Sequence, residues 1–296
     1  MDKSLAKVLE AIKPLNREAM EAAQARQNSL TKPEGSLGQL EELSIRIAGI
    51  TGDVMPNVRR KAIITMAADH GIAAEGVSAY PQEVTAQMVH NFLGGGAGIN
   101  VLTRLIGARV VVVDMGVAAD LEPHPKLISK KIARGTKDMT SGPAMSRDEA
   151  LRSIETGIEI IEAEIAKGVD IVGTGDMGIG NTAASSAICA AITGEPVEQV
   201  TGRGTGIGEE QLAHKVGMIQ RALGLNHPDG SDPLDVLAKV GGLEIGGLAG
   251  VMLGAAGHRI PIVIDGFISG AAALIATGIV PQLRDYLIAG HISAER

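Results

Sequence analysis

The sequence has no tryptophan, and its aromatic side chains come down to Tyr80, Phe92, Phe267 and Tyr286. That scarcity excludes the aromatic platforms on which single-stranded nucleic acid stacks. Positive charge is also short. The formal net charge is −7, opposite to the electrostatic footprint of a DNA or RNA binder. The single cysteine, Cys189, cannot form a disulfide within the chain, which fits a reducing compartment. Its apolar neighbours predict a buried, inert thiol. The first 27 residues mix both charge signs and hold no apolar run of signal-peptide length. The longest uncharged stretch, 266–283, is interrupted by Gly266, Gly270, Gly278 and Pro281. It follows a strand-like segment and reads as a helix packed on a sheet, not as a membrane span. The chain reads as a cytoplasmic protein whose partners are small molecules or copies of itself.

Several chemistries also lack their motifs. No Gly-Lys-Ser/Thr phosphate loop is present, and no Gly-x-Ser-x-Gly elbow supports a serine hydrolase. The seven histidines show neither His-Glu-x-x-His nor a cysteine–histidine spacing for zinc. Neither a metal site nor a bound cofactor is expected.

Glycine, by contrast, is abundant at 39 residues, and apolar residues make up 45% of the 296. Glycine clusters in a globular chain point to tight turns or close backbone approach to a ligand. Residues 2–52 read as helical, with Leu5, Val8, Leu9 and Ile12, then Leu40, Leu43, Ile47 and Ile50, at helical spacing. From Lys61 the pattern changes. Ala62–Met66, Arg109–Val113, Val169–Val172 and Ile260–Ile264 are short apolar runs of the kind buried on both faces of a parallel sheet. Helical stretches separate them at Gln87–Leu105, Arg147–Ala166, Ala183–Ile192 and Leu234–Val240. The alternation predicts an α/β fold: a doubly wound, mostly parallel, Rossmann-like sheet with a small helical domain. The expected division is 1–60 for the helical domain, 61–290 for a nucleotide- and base-binding domain, and 291–296 for the start of a C-terminal segment.

Each strand candidate ends at or near an aspartate: Asp69, Asp114, Asp176 and Asp265. Aspartate after a strand is ordinarily a turn former or helix cap. The set of four together predicts a polar cleft beyond the carboxyl ends of the strands, where open α/β sheets bind ligands. Gly173-Thr174-Gly175-Asp176-Met177-Gly178 has Gly-x-Gly-x-x-Gly spacing, which can seat a phosphate at the following helix start. The acidic strand end that a dinucleotide fold needs further on is missing, and Gly194-Glu195-Pro196 stands there instead. An NAD-type oxidoreductase is therefore a runner-up. A second loop, Thr201-Gly202-Arg203-Gly204-Thr205-Gly206, precedes Lys215 by one helical stretch. Two glycine loops with a guanidinium and an ammonium suit one phosphate monoester. Solvated surface charge is the ordinary alternative for Arg203 and Lys215. A diphosphate-using phosphoribosyltransferase would show paired acids after a strand, and Val111–Gly116 carries one. The residues alone lead to metal-free chemistry on a nucleoside monophosphate.

At Lys32-Pro33-Glu34-Gly35-Ser36-Leu37-Gly38, Ala68-Asp69-His70-Gly71, Pro81-Gln82-Glu83-Val84-Thr85, Gly178-Ile179-Gly180-Asn181-Thr182 and Asp265-Gly266-Phe267-Ile268-Ser269, the chain resembles the nicotinate-nucleotide:dimethylbenzimidazole phosphoribosyltransferase family. The likeness runs in order along essentially the whole chain. It implies a pentosyltransferase of cobalamin biosynthesis. Phosphoribose would pass from nicotinate mononucleotide to 5,6-dimethylbenzimidazole, giving α-ribazole 5′-phosphate and nicotinate, in a homodimer. The departing pyridinium nitrogen leaves neutral, so this chemistry asks for no Lewis acid. The resemblance places the benzimidazole near Tyr80 and Gln87. It places the phosphate on Gly178, Gly202, Arg203, Gly204, Lys215 and Ser293. Asp176 stands where the family has the longer glutamate. The family's general base is a glutamate in a segment beyond Arg296, which leaves Asp176 and Asp265 as fallback bases. A non-catalytic module that binds nucleotide or benzimidazole is the rival from another class.

Overall fold

The computed structural model describes residues 3–295. Met1 and Asp2, with which the expected helical region begins, and Arg296 lie outside the described residues. Three helices come first, α1 (Lys3–Ala11), α2 (Arg17–Ser29) and α3 (Gln39–Thr51). The β-branched runs then form β1 (Lys61–Ala68), β2 (Ala108–Gly116), β4 (Ile171–Met177) and β5 (Ile262–Ile264). Two further strands, β3 (Leu127–Ser129) and β6 (Leu287–Ala289), have three residues each. Every pairing is parallel and the order is β3-β2-β1-β4-β5-β6. The doubly wound, Rossmann-like expectation holds. From β1 the chain adds β2 and β3 to one side and β4, β5 and β6 to the other, so the strand order reverses between β1 and β4. A crevice opens at such a switch point beyond the strand ends.

Helices cover both faces: α4 (Val84–Gly94), α5 (Gly98–Ile106), α6 (Arg147–Ala166), α7 (Asn181–Thr193), α8 (Glu209–Asn226), α9 (Pro233–Val240), α10 (Leu243–Gly257) and α11 (Gly266–Ile279). The single helix expected over Gln87–Leu105 is two. Gly95 closes α4 with φ +78°, its N–H bonding back to Asn91 and Phe92 carbonyls. A left-handed residue of this kind ends a helix at little cost only when it is glycine.

Helix α10 explains much of the glycine. It is buried on all sides and packs on α6. A Cβ on Gly250 would overlap the Ile154 carbonyl, and one on Gly157 would overlap the Gly247 carbonyl. Here glycine serves backbone-to-backbone helix contact, a use that turn and ligand readings of the sequence miss. Gly250→Ala should therefore cost about 3 kcal/mol, the upper end for overpacking, because the opposing atom is backbone and cannot swing aside. Urea unfolding at constant m-value measures it.

The N-terminal helices dock on the same core. Leu5, Val8, Ile12 and Ile50 belong to the cluster that contains Ile64 and Val113 of the sheet. Tyr286, fully buried, donates its hydroxyl to the Lys13 carbonyl at 2.7 Å, and Arg259 reaches the Gly49 carbonyl at 2.8 Å.

Candidate active site

Because the sheet is parallel, the aspartates at the strand ends share one edge. They divide into two kinds. Asp69 accepts from the Ala118 N–H at 2.7 Å, and Asp114 from the Gly116 and Val117 N–H groups at 3.0 and 2.8 Å. Both are buried and pin the backbone after β2. Burial pushes the Asp114 carboxyl up, against the backbone hydrogen bonds and Lys131. These two follow the ordinary turn-forming reading.

Asp176 and Asp265 differ. Asp176 is half-buried at the end of β4 and accepts from Asn181 Nδ2 at 2.8 Å. Burial, then the negative charges of Glu244 and Asp265, push its carboxyl up to about 7. Asp265 is exposed beyond β5, 3.3 Å from His291 Nδ1.

Gly178 lies against the end of β1, where a Cβ would overlap the Ala68 carbonyl. Side chains tie this first glycine loop to its neighbours. The Ile179 N–H donates to Thr85 Oγ1 at 3.1 Å, and Thr85 sits on the first turn of α4, in the stretch 80–88 that carries Tyr80 and Gln87. Tyr80 and Gln87 are both exposed on that segment. Thr205 of the second glycine loop lies 3.2 Å from Ser78 Oγ and accepts from the Ala79 N–H at 2.9 Å. Three loops thus converge: the one carrying Tyr80, the one after β4, and the one at 201–208.

Lys215 joins two of them. It lies on α8, fully buried, and its ammonium donates to Thr182 Oγ1 at 2.9 Å and to the Gly202 carbonyl at 3.1 Å. Surface solvation is thereby ruled out for this residue. Burial pulls its pKa down to about 8, with the charge of Glu295 opposing. Arg203, in the same loop, turns away. Its guanidinium donates to the Ile207 carbonyl at 2.8 Å and pairs with Glu209.

The most telling group was not legible in the sequence. Glu295 lays its carboxylate on the second loop, Oε1 accepting from the Gly204 N–H at 2.8 Å, while Oε2 is buried without a partner. A Cβ on Gly202 would overlap this carboxylate. Ser293 Oγ accepts from the Glu295 N–H at 3.1 Å and so is drawn to the same place. The Gly204 N–H therefore already binds an internal oxyanion, beside Gly202 and within the electrostatic reach of the Lys215 ammonium. A cleft of about 610 Å³ lined by Lys137, Ser141, Arg147 and Lys239 lies elsewhere and contains none of these residues.

The pattern of a family described as Phosphoribosyltransferase matches residues 12–296. The nicotinate-nucleotide–dimethylbenzimidazole phosphoribosyltransferase of Desulforudis audaxviator (strain MP104C) is 63% identical over 291 residues, 98% of this chain and 82% of that relative. The enzyme of the same name from Dehalococcoides mccartyi (strain CBDB1) is 57% identical over 281 residues, 95% and 80% respectively. The crystal structure of CobT from Thermus thermophilus matches with a TM-score of 0.91 at 48% identity, covering 94% of this chain and 83% of that one. The chain belongs to the nicotinate-nucleotide–dimethylbenzimidazole phosphoribosyltransferase family.

Proposed function

We propose that the protein transfers phosphoribose from nicotinate mononucleotide to 5,6-dimethylbenzimidazole, and that the crevice between the ends of β1 and β4 is where it does so. The observation that carries the placement is Lys215: a buried ammonium bonded to Thr182 and to the Gly202 carbonyl of the second glycine loop, within the electrostatic reach of the Glu295 carboxylate. The nucleotide phosphate takes the position of that carboxylate, on Lys215, Ser293 and the Gly202–Gly204 backbone. Gly178 and Asp176 face the ribose, and Tyr80 and Gln87 border the benzimidazole.

In the reaction a benzimidazole nitrogen lone pair attacks the anomeric carbon from the face opposite nicotinate. The C–N bond to the pyridinium breaks with its electrons passing to the ring nitrogen, so nicotinate leaves without needing a proton. The proton to be removed is the one on the other benzimidazole nitrogen. Among the described residues Asp176 is the carboxyl whose pKa near 7 suits proton exchange at neutral pH. Asp265 is the exposed alternative. Alignment of two bound ligands does the rest.

The reading includes a cytoplasmic homodimer. No helix among the described residues is long and apolar enough to cross a membrane. Leu102, Leu105 and Ile106 are exposed on α5, an apolar strip that a second copy would cover. Incubation with both substrates, followed by NMR, tests the transfer: nicotinate and α-ribazole 5′-phosphate should appear in equal amounts. Nicotinate release without the second product would overturn it.

If Glu295 competes with the phosphate, Glu295→Gln should bind nicotinate mononucleotide more tightly. An internal anion present nine-tenths of the time reduces apparent affinity about tenfold. Calorimetry at low salt reads that gain, and weaker binding would mean that Glu295 supports the ligand instead.

A further inference from the structure

We propose that His70 and Glu244 are positioning residues for the nucleotide: their buried pair is wedged between the turn at Gly178–Asn181 and the turn at Gly242, and it fixes the first of these against the ribose phosphate. The inference rests on the placement of the nucleotide given above.

Both side chains are buried, at 1% and 0% exposure, with His70 Nε2 2.6 Å from Glu244 Oε1. They meet from opposite ends of the chain, His70 just after β1 and Glu244 in the first turn of α10. The glycines on either side record the fit. A Cβ on Gly178 would lie 3.1 Å from Glu244 Oε1 and 3.2 Å from His70 Cδ2, and one on Gly180 would lie 3.3 Å from His70 Cβ. On the other side, a Cβ on Gly242 would overlap His70 Cε1 and lie 2.8 Å from Glu244 Oε2. The pair thus touches the nucleotide loop at two glycines and the α9–α10 turn at a third.

Stability does not explain the choice. A buried ionisable pair loses its hydration, and apolar residues of similar volume are often as stable or more so. Glu244 Oε2 is moreover buried with no hydrogen-bond partner, a cost without a structural return. What a charged pair gives is direction. Burial alone would discharge His70, yet the charge and hydrogen bond of Glu244, then the charges of Asp69 and Asp176, hold it above its ordinary value. The ring is therefore held at one angle by one short bond. The turn resting on it is left with little freedom, since its Ile179 N–H is bonded to Thr85 and its Asn181 amide is bonded back to Asp176.

Glu244→Gln keeps the shape and an acceptor but removes the charge. We expect it to fold with a lowered thermal midpoint, because His70 loses its buried counter-charge, and to bind nicotinate mononucleotide about tenfold more weakly, within the range of coupling between neighbouring sites. Affinity for 5,6-dimethylbenzimidazole should stay within about twofold, because neither Tyr80 nor Gln87 touches the pair and their stretch is linked to the turn by the Thr85–Ile179 hydrogen bond. Amide exchange at Ile179 should quicken while that of β1 does not. Should this variant not fold, His70→Gln, which keeps an N–H toward Glu244, should give the same split between the ligands. Unchanged nucleotide affinity overturns the inference. So does equal loss for both ligands in step with the thermal midpoint, which marks a purely structural role. An unaltered protein that fails to bind nicotinate mononucleotide overturns the site placement and this inference together.

Discussion

Lys215→Ala should weaken nicotinate mononucleotide binding by about 1.5–3 kcal/mol, roughly 10- to 150-fold, the range for a charge-assisted hydrogen bond. An ammonium carries three donors. Two are engaged by Thr182 and the Gly202 carbonyl, and the third is left for an anion. The site is buried, so water cannot screen the contact as it does a surface pair. Lys215→Met, which keeps the aliphatic stem, should lose as much affinity and separate charge from packing. Because the unliganded ammonium titrates near 8, the affinity of the unaltered protein should fall as pH rises past that value. Arg203→Ala should behave differently. Its guanidinium is taken by Ile207 and Glu209, and such exposed pairs contribute about 1 kcal/mol or less, so nucleotide affinity should move only a few-fold. Calorimetry on the three variants checks the set, and unchanged affinity in Lys215→Ala would remove that residue from the site.

Asp176→Asn should stabilise the protein, and only at neutral and alkaline pH. The folded-state value near 7 lies above that of an aspartate in the unfolded chain, about 3.9. Below that lower value the carboxyl is protonated in both states and contributes nothing. As pH rises from about 4 to 7 the unfolded chain ionises first, so folding loses stability through this window. Above 7 the loss is complete, at most about 4 kcal/mol for a shift of roughly three units. Asparagine has no charge to bury, and its carbonyl still accepts from Asn181. The gain in urea unfolding should therefore be close to zero at pH 4 and reach a few kcal/mol at pH 8. A gain independent of pH would mean that ionisation of Asp176 is not what strains the site.

Some of this was legible in the residues and some was not. The valine run of β2 and the isoleucines of β1 announce parallel strands because burial on both faces demands continuous apolar character. β3 and β6 carry no such signal, since three residues at the sheet edges are too few for any pattern. The two glycine loops and Lys215 could be paired from composition, and the structure brings them together. Arg203 looked equivalent in sequence, but its orientation depends on Glu209, six residues on, which no phosphate motif records. Glu295 and Thr85 reach the site only through contacts with segments distant in the chain. Glu244 had a visible clue, a lone acid in the apolar, glycine-rich run of α10. A charge there must find a buried partner, and that partner, His70, is 174 positions away.

The most direct test of the account is a crystal structure with nicotinate mononucleotide bound. The phosphate should lie within hydrogen-bond distance of Lys215 Nζ and the Gly204 N–H, in the place now held by the Glu295 carboxylate, with the ribose toward Gly178 and Asp176. A phosphate seated away from Lys215, with Glu295 undisturbed on the second loop, would contradict it.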